Sequence, residues 1–343
     1  MIALPAPRPV RELGPMDRAT FDTEVRAAGQ PVVLRDLAAD WPAVRANRDG
    51  DAAMVAYLQR FLHDRPVNAI VGDPSIQGRF FYNEDLTGLN FVRGTSPLAP
   101  FLDRLLRERE QPTGYAMAIQ SILAPELLPG FVEENGIDLV PREALPRLWL
   151  GTALRVAAHY DLMENIGIVV TGRRRFTLFP PDQVGNLYMG PLDVTPAGTP
   201  ISLVDLAAPD LERFPRFAEA AAHAQVAELA PGDAIYIPFH WWHAVDSLEP
   251  INLFANYWWA PAPAATLNPQ DALLHAMFSL RLLPEDQRAA WRTMFDHLVF
   301  QTGGDPAAHL PASARGMFEM PSADQVQQIR ETLRVALERG TVR

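Results

Sequence analysis

The residues best placed to do chemistry are His159 and Asp161, separated by Tyr160. In an extended segment, side chains two residues apart project to one face. The imidazole of His159 and the carboxylate of Asp161 therefore converge on one point. Far downstream, the run His240-Trp241-Trp242-His243 offers two further imidazoles. One of them, brought in from a distant strand, would complete a set of two histidines and one carboxylate. Such a set takes three adjacent positions of an octahedral Fe(II) and leaves the opposite three for a co-substrate and O2. The pattern points to an oxygenase. Spacing alone is weak evidence in a chain with 8 histidines and 41 acidic residues.

These side chains need strands to hold them. Residues 17–64 read as helix-rich, with Asp17 capping a segment through Phe21 and Val25 and with DAAMVAYLQRFL (51–62) at helical spacing. RPVNAIVG (65–72) and RFFYNED (79–85) read as strands, SPLAPFLDRLLRERE (96–110) as a helix, and GYAMAIQSI (114–122) and LPRLWLGTAL (145–154) as strands again. From there to Trp259, short strands alternate with Gly and Pro turns. The expected fold is mainly β with flanking helices: a double-stranded β-helix, or jelly-roll barrel, followed by a helical C-terminal region. The 32 prolines suit a loop-rich barrel better than a helical bundle.

The stretches HYDLMENIGIVVTGRRRFTLFPP and APGDAIYIPFHWWHAVDSL, with QPVVLRDLAADWPAV near the start, resemble the JmjC-type, cupin-like 2-oxoglutarate oxygenases. The branch they are most similar to contains the asparaginyl hydroxylase of hypoxia-inducible factor. The resemblance covers roughly residues 10 to 262. It implies Fe(II) as metal and 2-oxoglutarate as co-substrate, and it selects His243, directly after the paired tryptophans, as third ligand beside His159 and Asp161. His240 is left as a wall residue. Alternation in TGRRRFTLFPP puts Arg174, Phe176 and Leu178 on one face. If that face is the interior, the Arg174 guanidinium needs an anion, and the resemblance implies the distal carboxylate of 2-oxoglutarate. The asparaginyl hydroxylase has lysine there, and where it has a threonine this chain has Val156, which cannot hydrogen-bond. Asn165 and Asn256 match polar co-substrate positions, and Asn256 shares a strand face with Asn252, Phe254 and Trp258. Trp258 is expected to border the pocket, with Tyr115 and Gln120 on a strand beside it.

Composition narrows the rest. A length of 343 residues supports one large core and an accessory region, divided here as an oxygenase domain over 1–262 and a helical region over 263–343. The absence of cysteine excludes disulfides and thiolate metal sites. No apolar run reaches the roughly 20 residues of a membrane span and the start lacks signal-peptide character, so a cytoplasmic location is expected. A net charge of −11 disfavours a nucleic-acid backbone as partner. A protein or peptide substrate is expected, with a small molecule as the other option. Beyond Pro263, Asn268 and Pro269 start one helix, Trp291, Met294, Phe295 and Leu298 stripe a second, and Ser322 with Gln325 caps a third. These helices either pack on the barrel or pair two subunits, and a homodimer is the reading taken. The competing functions are a metal-dependent cupin enzyme that does not use 2-oxoglutarate and a non-catalytic cupin-like sensor or scaffold.

Overall fold

The structure is a computed structural model that describes residues 4–63, 65–110, 112–196, 198–260, 268–319 and 321–338. The chain divides into two compact units, Met1–Pro261 and Ala262–Arg343. The expected linker at Pro261–Pro263 lies outside the described residues.

Among the described residues, fifteen strands build two sheets in the first unit. In chain order they are β1 (Arg8–Pro9), β2 (Arg11–Leu13), β3 (Val32–Leu34), β4 (Pro66–Gly72), β5 (Arg79–Phe80), β6 (Phe91–Pro97), β7 (Ala116–Leu123), β8 (Pro146–Gly151), β9 (Arg155–Tyr160), β10 (Glu164–Thr171), β11 (Arg174–Phe179), β12 (Gln225–Leu229), β13 (Ala234–Ile237), β14 (Trp242–Ser247) and β15 (Asn252–Trp259). The smaller sheet runs β1-β12-β11-β14-β9-β5 and the larger β2-β3-β13-β10-β15-β8-β7-β4-β6. At their centre, β12-β11-β14-β9 faces β13-β10-β15-β8, the two halves of a jelly-roll barrel. The residues between them form one apolar cluster. Phe176, Leu178, Ala227, Leu229 and Val245 come from the smaller sheet, and Val33, Val169, Ile235, Ile237 and Phe254 from the larger.

Alternation assigns every strand two jobs. The outer face of the larger sheet, with Leu148, Ile166, Ile168, Ala255 and Tyr257, packs under the helices Pro42–Arg48, Asp51–Gln59 and Leu98–Glu110. The outer face of the smaller sheet, with Ala158, Tyr160, Phe179, Trp242 and Ala244, packs under residues 187–224, which include the helix Phe217–Ala222. Covered on both faces, β10 is buried along its whole length. Burying apolar area at about 25 cal/mol per Å² is what holds the two sheets face to face.

Two expectations need adjusting. The strand expected over 79–85 is only Arg79–Phe80, with an isolated bridge from Tyr82 to Leu89. The edge strand β6, which overlaps the start of the expected helix 96–110, has an exposed, weakly apolar sequence and gave no periodic signal. Asp17 does cap its helix by accepting from the Thr20 N–H, and Asn268 caps Pro269–Leu280 by accepting from the Gln270 N–H. Ser322 and Gln325 exchange side-chain and backbone hydrogen bonds at the start of Ala323–Glu338. Among the described residues, no helix is long and apolar enough to cross a membrane.

Candidate metal centre

Strands β9 and β14 pair antiparallel with His159 opposite His243. Opposed residues in such a pair lie close enough for their side chains to meet, and the two imidazole centroids are 4.3 Å apart. Asp161 follows β9 directly, with a carboxylate oxygen 3.7 Å from Nε2 of His243. One potential ligand atom from each of the three residues lies within 4.8 Å of the others. His240 is not part of this cluster: its ring packs on Tyr160 and Phe239, and its backbone is left-handed with φ of 60°.

A β-bulge makes this convergence work. Val245 pairs with Val156 and His243 with His159, so one residue of β14, Ala244, faces two of β9, Ala157 and Ala158. The extra residue resets the alternation, and both Val156 and His159 turn to the barrel interior. The carbonyl of Ala157, inside the bulge, lies 3.0 Å from Nδ1 of His159. The carbonyl of Trp241 lies 3.1 Å from Nδ1 of His243. A neutral imidazole satisfying its carbonyl donates from Nδ1 and leaves Nε2 as a bare lone pair, the form a metal takes. Desolvation pushes His159 down to about 4, with the neighbouring His243 as second cause, so the neutral form is the one present near neutrality.

The carboxylate is also fixed. Asp161 Oδ2 accepts from Asn165 Nδ2 at 3.0 Å and from Trp258 Nε1 at 3.1 Å. Asn165 Oδ1 in turn accepts from Asn256 Nδ2 at 3.3 Å, and Asn256 Oδ1 accepts from Trp149 Nε1 at 2.7 Å. Asn165, Asn256 and Trp258 thus stand together beside the triad. Their strands place them there: Asn165 pairs with Trp258 across β10 and β15, while Glu164, on the other face, is held outward by Nε and Nη2 of Arg26. Of the other tryptophans, Trp242 and Trp259 pack under the outer layers, and Trp241 lies in the interior cluster. Tyr115 precedes β7 and is exposed. Gln120 sits with Ser121 in a second bulge, opposite Trp149.

Arg174 occupies the same interior. It pairs with Ser247 and Leu229 at the start of β11, four residues from Leu178, which faces His243. Its side chain is buried, its Nε has no hydrogen-bond partner, and among the described residues no carboxylate pairs with it. The guanidinium lies 4.6 Å over the ring of Phe254. That ring has room because residue 167 is glycine: a Cβ there would collide with it. Desolvation pushes Arg174 down to about 9, which still leaves it cationic at neutral pH. A buried cation without a counter-charge is costly unless an anion arrives to meet it.

Sequence reasoning missed Arg147 and Trp149. Alternation in LPRLWLG places both on one face, but does not say which face is inside. In β8 they turn to the barrel interior, while Leu148 and Leu150 join the outer cluster. Arg147 hydrogen-bonds Ser121 and lies 5.8 Å over the Trp258 ring.

Residues 18–265 match the family described as the cupin-like domain. The chain belongs to that family. Among its relatives, the human HSPB1-associated protein 1 is 35% identical over 131 residues, which are 38% of this cupin-like chain and 25% of that protein. The chain therefore spans about a quarter of that relative. The zebrafish (Danio rerio) tRNA wybutosine-synthesizing protein 5 is 25% identical over 274 residues, 75% of this chain and 76% of its own. The lysine-specific demethylase JMJ31 of Arabidopsis thaliana is 36% identical over 112 residues, 32% of this chain and 20% of its own.

Proposed function

We propose that this protein is an Fe(II)- and 2-oxoglutarate-dependent oxygenase of the branch that contains the asparaginyl hydroxylase, acting on a protein side chain in the cytoplasm. One observation carries the reading. Two imidazoles and a carboxylate converge in the same barrel interior that holds an unpaired, buried guanidinium. The donor set suits iron in the ferrous state, and the guanidinium suits the far end of a dicarboxylate whose keto-acid end reaches the metal.

His159, Asp161 and His243 would hold the metal on one side and leave the other open. Arg174 would hold the distal carboxylate, which sets the length and charge of an acceptable co-substrate. Each amide nitrogen of Asn165 and Asn256 uses one hydrogen in the chain to Asp161, leaving a second to donate to a co-substrate oxygen. Trp258 and Trp149 meet edge to face at 5.9 Å, and their rings would shield the centre from water. When bound, iron and 2-oxoglutarate supply the oxidation of an unactivated C–H bond with release of succinate and CO2, and the protein supplies orientation. Hydroxylation is the direct outcome, and N-demethylation is the same step on an N-methyl group.

The helical unit completes the proposal. Its helices Pro269–Leu280 and Glu285–Leu298 contain no buried residue, and Phe278, Leu282, Trp291, Met294 and Leu298 are exposed. So much uncovered apolar surface is rare on a solvated appendage, which favours a homodimer formed through this unit. The function is tested by anaerobic titration of the protein with Fe(II) and 2-oxoglutarate. A visible charge-transfer band, followed by succinate formation on adding air, is the expected result. Without the band, the reading as a cupin metalloenzyme that does not use 2-oxoglutarate takes over.

A further inference from the structure

The hydrogen bonds around Asp161 have a direction that can be traced to a single residue. An indole N–H can only donate, so Trp149 forces Asn256 to present Oδ1 to it, at 2.7 Å. Asn256 must then present Nδ2 to Asn165, whose Oδ1 accepts at 3.3 Å. Asn165 is left with Nδ2 toward Asp161, donating at 3.0 Å. Reversing either amide would set donor against donor or oxygen against oxygen. The second donor to Asp161, Trp258 Nε1, belongs to a ring that Trp149 meets edge to face. One side chain, whose own hydrogen bond goes to Asn256 and not to the triad, thus stands behind both hydrogen bonds to Oδ2.

We propose that Trp149 is a positioning residue for the metal centre, acting through Asn256 and Asn165 to lock the Asp161 carboxylate. The two donors meet the carboxylate at Oδ2, the oxygen that also lies 3.7 Å from Nε2 of His243, and so fix the angle at which Asp161 presents itself to a metal ion. The relay is charge-assisted at its last link, where the acceptor is ionised, and such bonds are about twice as strong as neutral ones. Bonds of this kind, one step removed from a metal ligand, typically change metal affinity by about 10- to 100-fold. The inference rests on the reading of His159, Asp161 and His243 as a metal centre and adds the source of its order.

The test uses Co(II) as probe in the full chain, read by affinity and by the visible ligand-field spectrum. Trp149→Phe keeps an aromatic ring against Trp258 and Phe254 but removes the N–H. The expected result is Co(II) binding weakened by about 10-fold or more, an altered spectrum, and a melting temperature near that of the parent. Asn165→Ala should weaken binding similarly, and the double variant Trp149→Phe/Asn165→Ala should be no weaker than Asn165→Ala alone, because both changes cut one chain. A Trp149→Phe protein with the parent's affinity and spectrum would overturn the proposal, as would effects that multiply in the double variant. If Trp149→Phe melts early, Asn256→Asp replaces it, since a carboxylate accepts from Trp149 but cannot donate to Asn165. His243→Ala separates the two levels of the argument. Its loss of Co(II) binding upholds the metal centre whatever Trp149→Phe does, and unchanged binding removes the centre and the relay together.

Discussion

The barrel and the helical unit treat their apolar side chains in opposite ways. In β10 and β15 nearly every residue is buried, and polar exceptions such as Asn165 and Asn256 have named partners. In Pro269–Leu280 and Glu285–Leu298 no residue is buried, and Phe278 is 79% exposed. Strands in a closed barrel are constrained by two neighbours each and by two packed faces, so a side chain there has one place to go. A short amphipathic helix is held only by its own hydrogen bonds and needs tertiary packing to be stable. The barrel can therefore fix a reacting geometry, whereas the helices present a surface.

The largest effect that would sharpen this contrast is loss of a ligand. His159→Ala, Asp161→Ala and His243→Ala should each abolish iron-dependent turnover, while His240→Ala keeps a measurable part of it. Succinate formation measures all four, and an inactive His240→Ala beside an active His243→Ala would reverse the choice of histidine.

Next comes the buried cation. Arg174→Ala should raise the 2-oxoglutarate requirement about 10- to 150-fold, since a charged hydrogen bond is worth about 1.5–3 kcal/mol. Arg174→Met should also leave the ligand-free protein at least as heat-stable as the parent, because it removes an unpaired buried charge without breaking an ion pair. Thermal melts with and without 2-oxoglutarate read both effects. A marked loss of stability in ligand-free Arg174→Met would mean that the guanidinium has a partner in the folded chain.

The helical surface gives a smaller, concentration-dependent effect. Sedimentation of the full chain at micromolar concentration should give a dimer, and Trp291→Glu with Leu298→Glu should give a monomer that retains the barrel's activity. A monomeric parent ends the dimer proposal.

The smallest effect is that of pH. Desolvation first, and His243 second, hold folded His159 near 4, well below the ordinary histidine value of 6.5. Between those two values the unfolded chain binds a proton that the folded chain refuses, so stability falls as pH drops through this window. Metal-free protein should melt progressively lower from pH 7 to pH 5, and His159→Gln should flatten the dependence. An equal slope in the variant would assign the loss to other groups.

Much of this was legible in the chain. The pair His159 and Asp161, the inward face of Arg174 and the shared face of Asn252, Phe254, Asn256 and Trp258 all follow from alternation along single strands, a local rule. The caps at Asp17, Asn268 and Ser322 are equally local. The relation of Val156 to His159 was not readable, because the bulge at Ala157–Ala158 changes the parity between them and nothing in RVAAHY marks it. Trp149 was hidden for another reason. Its face depends on which side of β8 the helices cover, and its role depends on Asn256, 107 residues away.

The sequence by itself determined which residue types could hold a metal, which strands could carry them, and that Arg174 shares a face with Phe176 and Leu178. Only the tertiary structure decided that His243 and not His240 faces His159, that the Asp161 carboxylate is held by two donors, and that an indole stands at the far end of the hydrogen-bond chain leading to it. The physical reason is range. Periodicity and capping act over a few residues, whereas strand register, bulges and hydrogen-bond direction are settled between segments that meet only when the barrel closes.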